Sequence, residues 1–173
     1  MLAVARQKLP AGTPLYVADM SNFQLNVKFD AIVCVYHGIN HLTDFATWQG
    51  FFDCVHRHLN DGGVFVFDTY PVDSLRMMAG AQEVVQQFGE NHHLRIRVRA
   101  NDEAVFDWNI ELFERQRGDS HKFLTEVIRI ATFPSERIRE ALSERFANIK
   151  LIESGAGGHD DTEKRTWFTC TKP

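Results

Sequence analysis

Among the side chains able to do chemistry, His41 stands out by its setting. It lies in Gly38-Ile39-Asn40-His41-Leu42, between an apolar run and an amphipathic segment. An imidazole can take a proton near neutral pH, so His41 is the candidate general base. The competing role for Asn40-His41 is to cap the helix that follows. Tyr36 and His37 close the apolar run before it, and Asp68 and Tyr70 close the next one. Ligand crevices of open α/β sheets lie at such carboxyl ends of strands, so Asp68 and Tyr70 are candidates to touch a substrate. Trp108 offers an indole face for stacking over a ligand, a role that competes with plain packing.

The other titratable residues form no evident centre. His56 and His58 are two apart on a helix and point to different faces, and His92 and His93 are adjacent on extended chain and face opposite ways. Neither pair has metal-ligand spacing, and no metal is expected. Cys34, Cys54 and Cys170 sit far apart in apolar segments without a C-x-x-C pair, as free buried thiols of a reducing, cytoplasmic environment would. Arg95, Arg97 and Arg99 share one strand face, which reads as solvated, with binding of a phosphate-bearing ligand as the alternative. Glu126 and Arg129 are expected to pair structurally.

The elements that must position these residues follow from hydrophobic period and turn chemistry. Leu2 to Leu9 reads as an amphipathic helix stopped by Pro10-Ala11-Gly12, and Leu15 to Ala18 as a short buried strand ending at Asp19. Phe29 to Tyr36 is nearly all apolar after Asp30, the pattern of a strand buried on both faces. Phe45, Trp48, Phe52, Val55 and Leu59 fall at helical steps over 43–59, with Thr43 or Asp44 as N-cap and Asn60-Asp61-Gly62-Gly63 as the stop. Val64 to Phe67 is a second buried strand. Strand, helix and strand make one βαβ unit with parallel pairing.

Later segments change character. Asp73 to Met78 can form a short helix. Leu94–Arg99, Val105–Phe113 and Lys122–Ile130 read as an antiparallel meander, with a turn at Arg117-Gly118-Asp119-Ser120. Pro134-Ser135 opens a helix with Ile138, Ala141, Leu142 and Phe146 on one face. Strands at Asn148–Ile152 and Arg165–Thr171 flank a glycine-rich loop, Ser154 to Asp161.

Composition excludes several classes of function. The chain has 173 residues, enough for one domain with a core, and 44% are hydrophobic. With 19 basic against 23 acidic side chains the net charge is −4, which is no footprint for nucleic acid. No apolar run approaches the ~20 residues of a membrane span, and Met1 to Arg6 is too short for a secretory signal. Neither nucleic acid nor a membrane is expected as a partner.

Several short patterns recur in one order. Met1-Leu2-Ala3-Val4-Ala5-Arg6 opens the chain, followed by Asp19-Met20, Phe29-Asp30, Asn40-His41-Leu42, a Leu-x-x-Gly-Gly turn from Leu59 to Gly63, and Asp68. An Arg165-Thr166-Trp167-Phe168 strand then finishes in Lys172-Pro173. This series resembles the small-molecule class I S-adenosylmethionine-dependent methyltransferases over essentially the whole chain. The antiparallel insertion with Trp108 and Glu126 resembles the substrate-side lid of sugar and small-amine methyltransferases.

The resemblance implies an α/β fold, a Rossmann-like methyltransferase sheet lacking its first two strands, with an antiparallel β insertion. The family's sheet order is 3-2-1-4-5-7-6. Its first strand, glycine-rich loop and the acidic residue that ends its second strand would precede Met1, so an N-terminally truncated domain is expected. The only glycine cluster, Gly155 to Gly158, stands between two late strands and does not meet the context of a nucleotide loop. The implied division is a cofactor side over 1–71, a lid over 72–131 and a C-terminal helix and strand pair over 132–173. The implied cofactor is S-adenosylmethionine. Asp19 would accept from the adenine amino group, the Met20 N–H would face the ring, and Tyr36 and His37 would border the methionine end. His41, Asp68, Tyr70 and Trp108 would meet a small-molecule methyl acceptor. The open edges left by absent strands imply a homodimer or strand exchange. The rival readings are a non-catalytic remnant that dimerises or binds a partner, and a different α/β small-molecule binder.

Overall fold

A computed structural model of the chain describes residues 2–116, 120–154 and 164–173. Helix α1 (Leu2–Lys8) is followed by irregular chain up to β1 (Phe29–Cys34). A short 3₁₀ turn (Gly38–His41) leads to α2 (Phe45–His58), then β2 (Leu59–Thr69) and α3 (Val72–Gly80). Strands β3 (Val84–Phe88), β4 (His92–Ala100), β5 (Val105–Arg115) and β6 (His121–Ala131) form the insertion. Helix α4 (Ser135–Ser143) and strands β7 (Ala147–Ser154) and β8 (Arg165–Thr171) complete the order.

Two four-stranded sheets result, β1-β2-β8-β7 and β3-β4-β5-β6. In the first, β1 and β2 are parallel and both later pairings are antiparallel. This is the 4-5-7-6 portion of the order that the resemblance implies. The second sheet is the expected antiparallel meander with one more strand than the sequence reading supplies: β3, whose Gln86-Gln87 breaks its apolar pattern.

Helix α2 starts where the Asp44 carboxylate accepts the Thr47 N–H at 2.9 Å, which settles the cap on Asp44 rather than Thr43. Its apolar stripe of Trp48, Phe51, Phe52 and Val55 packs with Ile138, Ala141 and Leu142 of α4 on one face of the first sheet. The sheet contributes Phe65, Phe67, Phe168 and Cys170, and Phe67 and Phe168 stack with centroids 5.0 Å apart. Leu75 of α3 joins Val98, Phe106 and Ile130 in a second, smaller cluster under the meander.

Two strand expectations are corrected. Leu15 to Ala18 is not a strand: Val17 is 89% exposed, and no residue among those described pairs with the segment. Extended chain becomes a strand by pairing, and without a partner it stays irregular and solvated. Residues 29–36 are not buried on both faces either. The strand stops at Cys34, β1 is an edge, and Val33 is 60% exposed. Both helices of the larger core lie on the Phe65/Phe67 face, so the opposite face, with Val33 and Ile152, has no comparable cover among the described residues.

Candidate functional site

The candidate site forms where the parallel strands β1 and β2 end. After Cys34 the chain turns sharply, and Tyr36 and His37 both take left-handed backbone, with φ of 59° and 57°. Such geometry costs a non-glycine residue on the order of 1 kcal/mol or more and persists only where surroundings enforce it. The enforcing group is Asp68, whose side chain is fully buried at the end of β2. One of its oxygens accepts the His37 backbone N–H at 3.1 Å, and the other lies 3.7 Å from His37 Nε2. Arg165, at the start of β8, places a guanidinium nitrogen 3.4 Å from the same carboxylate and stands 5.4 Å over the Tyr36 ring. A buried carboxylate needs such partners, because desolvation of an isolated charge is costly.

Three rings extend from this point. His37 stacks on Tyr70 with centroids 3.5 Å apart and planes 7° from parallel, and Tyr70 tilts against Trp108 at 5.8 Å. Trp108 is thus partly packing, on the fringe of the Leu75 cluster, yet its indole Nε1 is buried with no acceptor among the described residues. The Cys34 thiol lies beneath the turn, 3.0 Å from where a Cβ on residue 38 would stand, so a side chain there would require the thiol to shift. Burial pushes this thiol up to about 11, with the Asp68 charge adding to the effect.

Asn40 holds the turn to the rest of the site. Its amide is fully buried, donates to Thr69 Oγ1 at 2.9 Å and to the Ala131 carbonyl at 2.6 Å, and accepts the Tyr70 N–H at 3.4 Å. One side chain thereby joins the ends of β1, β2 and the lid strand β6. Thr132 adds a bond from its hydroxyl to the Tyr70 carbonyl. Asn40, Thr132 and Arg165 are the positioning groups that sequence reasoning missed. The available signal was a lone asparagine between apolar neighbours, which reads equally well as a helix cap.

The expected site residues separate into two groups. His37, Asp68, Tyr70 and Trp108 are brought together, and Tyr36 is tied to them through Arg165. Met20 packs against the larger core with its sulfur 3.9 Å from Cys34 Sγ, which puts the Asp19-Met20 pair beside the end of β1. Asp19 is exposed and accepts the Ser21 backbone N–H and hydroxyl on one oxygen, Oδ1, at 2.8 and 2.7 Å. These bonds, the hydroxyl's first, hold its carboxyl below the usual range. His41 is exposed at the end of the 3₁₀ turn, and no described hydrogen bond, ion pair or ring contact joins it to the cluster.

Elsewhere several charges pair with one another. Arg95 bonds Glu111 at 3.1 Å, and Glu83 pairs with both Arg95 and Arg97. That neutralises much of the arginine row. Arg129 pairs with Asp107 across the β5–β6 ladder, not with Glu126. His58 is buried between Cys54 O and Leu25 N–H. Gly155 to Asp161 lie outside the described residues, as do Arg117 to Asp119. Among the described residues no three metal-ligating side chains converge, and no helix is long and apolar enough to cross a membrane.

No family model and no curated protein matches the chain. Solved structures do. An S-adenosylmethionine-dependent methyltransferase from Clostridium acetobutylicum superposes with a TM-score of 0.80 at 22% identity, over 99% of this chain and 68% of that one. CalS10, an amino pentose methyltransferase from Micromonospora echinaspora solved with S-adenosylmethionine bound, gives 0.75 at 24% identity, over 99% and 70%. DesVI from Streptomyces venezuelae gives 0.78 at 18%, over 99% and 70%. The chain therefore has the class I S-adenosylmethionine-dependent methyltransferase fold.

Proposed function

We propose that this chain takes part in S-adenosylmethionine-dependent methyl transfer to a small molecule. The observation that carries the reading is the strained Tyr36–His37 turn clamped by buried Asp68 at the carboxyl ends of the parallel pair, in a fold shared with methyltransferases. Strain held in place by a buried charge fits a ligand site better than a structural corner.

The residues fit two ends of the cofactor. Asp19 keeps its second oxygen, Oδ2, without a described partner and is anionic at neutral pH, which suits an exocyclic amino group; the Met20 N–H adjoins it. Tyr36 and His37 would border the methionine end, and Gly38 leaves the cramped space that a Cβ would fill. For the ribose hydroxyls, the described residues at this edge supply no glycine-rich turn. When bound, the group supplies an activated sulfonium methyl. The chain's own residues then align the acceptor, exclude water and manage its proton. Tyr70 and Trp108 would hold the acceptor, and Asp68 would fix the turn that faces it. Two of the structural neighbours are described as acting on an amino pentose and as a sugar N-methyltransferase, which supports a small, polar acceptor.

The test is methyl transfer by the chain with S-adenosylmethionine and a panel of amine- and hydroxyl-bearing sugars, read as S-adenosylhomocysteine formed. Turnover with any acceptor that falls at least tenfold in Asp19→Ala at limiting cofactor supports the reading, as loss of about 1.4 kcal/mol of binding would produce. Turnover that is indifferent to Asp19 removes the cofactor assignment.

A further inference from the structure

We propose that His58 is a positioning residue for the cofactor: as a neutral ring it latches the segment that carries Asp19 and Met20 onto α2, and a proton on that ring releases the segment. The cofactor role rests on the methyl-transfer reading above. From Asp19 to Lys28 the chain has neither helix nor strand, so contacts from outside must place it. They come from one stripe of α2, where Gly50, Cys54 and His58 follow at four-residue steps. A Cβ at Gly50 would stand 2.9 Å from the Ser21 carbonyl oxygen, so the segment's backbone lies directly on the helix. The Cys54 thiol faces the Ser21 and Phe23 carbonyls at 3.5 and 3.6 Å. His58 ends the stripe and is 2% exposed.

Both ring nitrogens of His58 are engaged, and each partner dictates a role. The Leu25 backbone N–H can only donate, and it lies 2.8 Å from Nε2, which therefore holds a lone pair. The Cys54 carbonyl can only accept, and it lies 2.7 Å from Nδ1, which therefore carries the hydrogen. The docked ring is thus neutral and in one tautomer, with Phe23 packed on it at 4.6 Å between centroids. A second proton has to enter at Nε2, where it opposes the Leu25 N–H and breaks the bond. Between Met20 and Val27 the segment has no titratable side chain of its own. On α2 the ring's neighbours are the Cys54 thiol and the Arg57 guanidinium, 3.1 Å from that sulfur. Past the helix end, Lys172 bonds the Leu59 carbonyl and pairs with Asp61. No carboxylate among the described residues pairs with the ring to steady a positive charge. The docked segment needs the neutral ring and the released one does not, so docking is intact at neutral pH and is lost as pH falls. Asp19 and Met20 stand within six residues of Leu25, so its release reaches the pair assigned to the adenine.

The first arm of the test uses the unliganded chain. Nitrogen-15 shifts of His58 at about pH 8 should show hydrogen on Nδ1 and a bare Nε2. Protection of the Leu25 amide, corrected for the intrinsic exchange rate, should fall on the order of tenfold from about pH 8 to about pH 5.5. Hydrogen on Nε2, or level protection at Leu25, overturns the proposal whatever the chain binds. The second arm titrates the chain with S-adenosylhomocysteine, whose affinity should fall on the order of tenfold over the same range. In His58→Gln an amide oxygen can accept the Leu25 N–H without titrating. Its affinity at about pH 8 should stay within about threefold of the unaltered chain, and the acid loss should disappear. His58→Leu lacks the acceptor and should bind on the order of tenfold more weakly at about pH 8. No acid loss in the unaltered chain, an acid loss that persists in His58→Gln, or full affinity in His58→Leu overturns the cofactor role. Failure of the unaltered chain to bind at any pH removes the methyl-transfer reading and the cofactor role with it, and the tautomer and the Leu25 amide still decide the latch.

Discussion

Replacing Asn40 by alanine should uncouple the turn after β1 from the lid. The lost amide is fully buried and bonds Thr69 Oγ1, the Ala131 carbonyl and the Tyr70 N–H. Thr69 Oγ1 keeps contacts at 3.5 Å with Thr132 Oγ1 and the Tyr70 carbonyl, so the cost falls mainly on the Ala131 carbonyl. The Tyr70 bond is long, at 3.4 Å, and adds less. A buried polar group left without its partner costs about 1–3 kcal/mol, and the small cavity adds to it, for about 2–4 kcal/mol in all. At about 2–4 °C of Tm per kcal/mol for a chain of this size, thermal unfolding should drop by about 5–15 °C. Asn40→Asp should cost at least as much, because it turns an acceptor toward the Ala131 carbonyl. The assay is calorimetric unfolding paired with urea titration. A loss below about 1 kcal/mol for Asn40→Ala would refute the reasoning that this amide joins three elements.

Other consequences follow from the packing. At Gly50 a Cβ would stand 2.9 Å from the Ser21 carbonyl oxygen, so Gly50→Ala should cost about 1–3 kcal/mol in urea unfolding, while Gly80→Ala, which meets nothing within 4 Å, should not. The Cys34 thiol is pushed up to about 11 and Cys170 to about 12, chiefly by burial, so a thiol reagent near neutral pH should label neither until the chain is unfolded. Both thiols stay protonated in the folded chain where the unfolded chain ionises around an ordinary value of 9.0, so their share of stability is intact below that pH and is lost as pH rises through 9 toward 11. Urea midpoints should be level up to about pH 8.5 and lower at about pH 10. The open β1 edge and the exposed Val33 predict a homodimer by sedimentation, weakened by Val33→Lys; a monomer at about 100 μM would contradict this.

Local signals carried the sequence reading wherever neighbours in the chain decide the outcome. The stripe of Trp48, Phe52 and Val55, the cap at Asp44 and the alternation along β4 to β6 each state their own structure. Leu15 to Ala18 failed because strand formation depends on a pairing partner, which an apolar tetrapeptide cannot reveal. The expected burial of Val33 failed for the same reason: burial of both faces needs two covering layers. At the site, Asp68, Tyr70 and His37 were legible as residues at strand ends, and Trp108 as an indole face in the meander. Their joining was not, because it depends on left-handed φ at Tyr36 and His37, which neither residue type advertises, and on Arg165, distant in sequence.

The most direct test of the account is a calorimetric titration of the chain with S-adenosylhomocysteine, repeated with Asp19→Ala. The account predicts saturable binding, weakened at least tenfold in the variant as an acceptor of the adenine amino group is lost. No binding at about millimolar ligand by folded protein, or binding unaffected by Asp19→Ala, would contradict it.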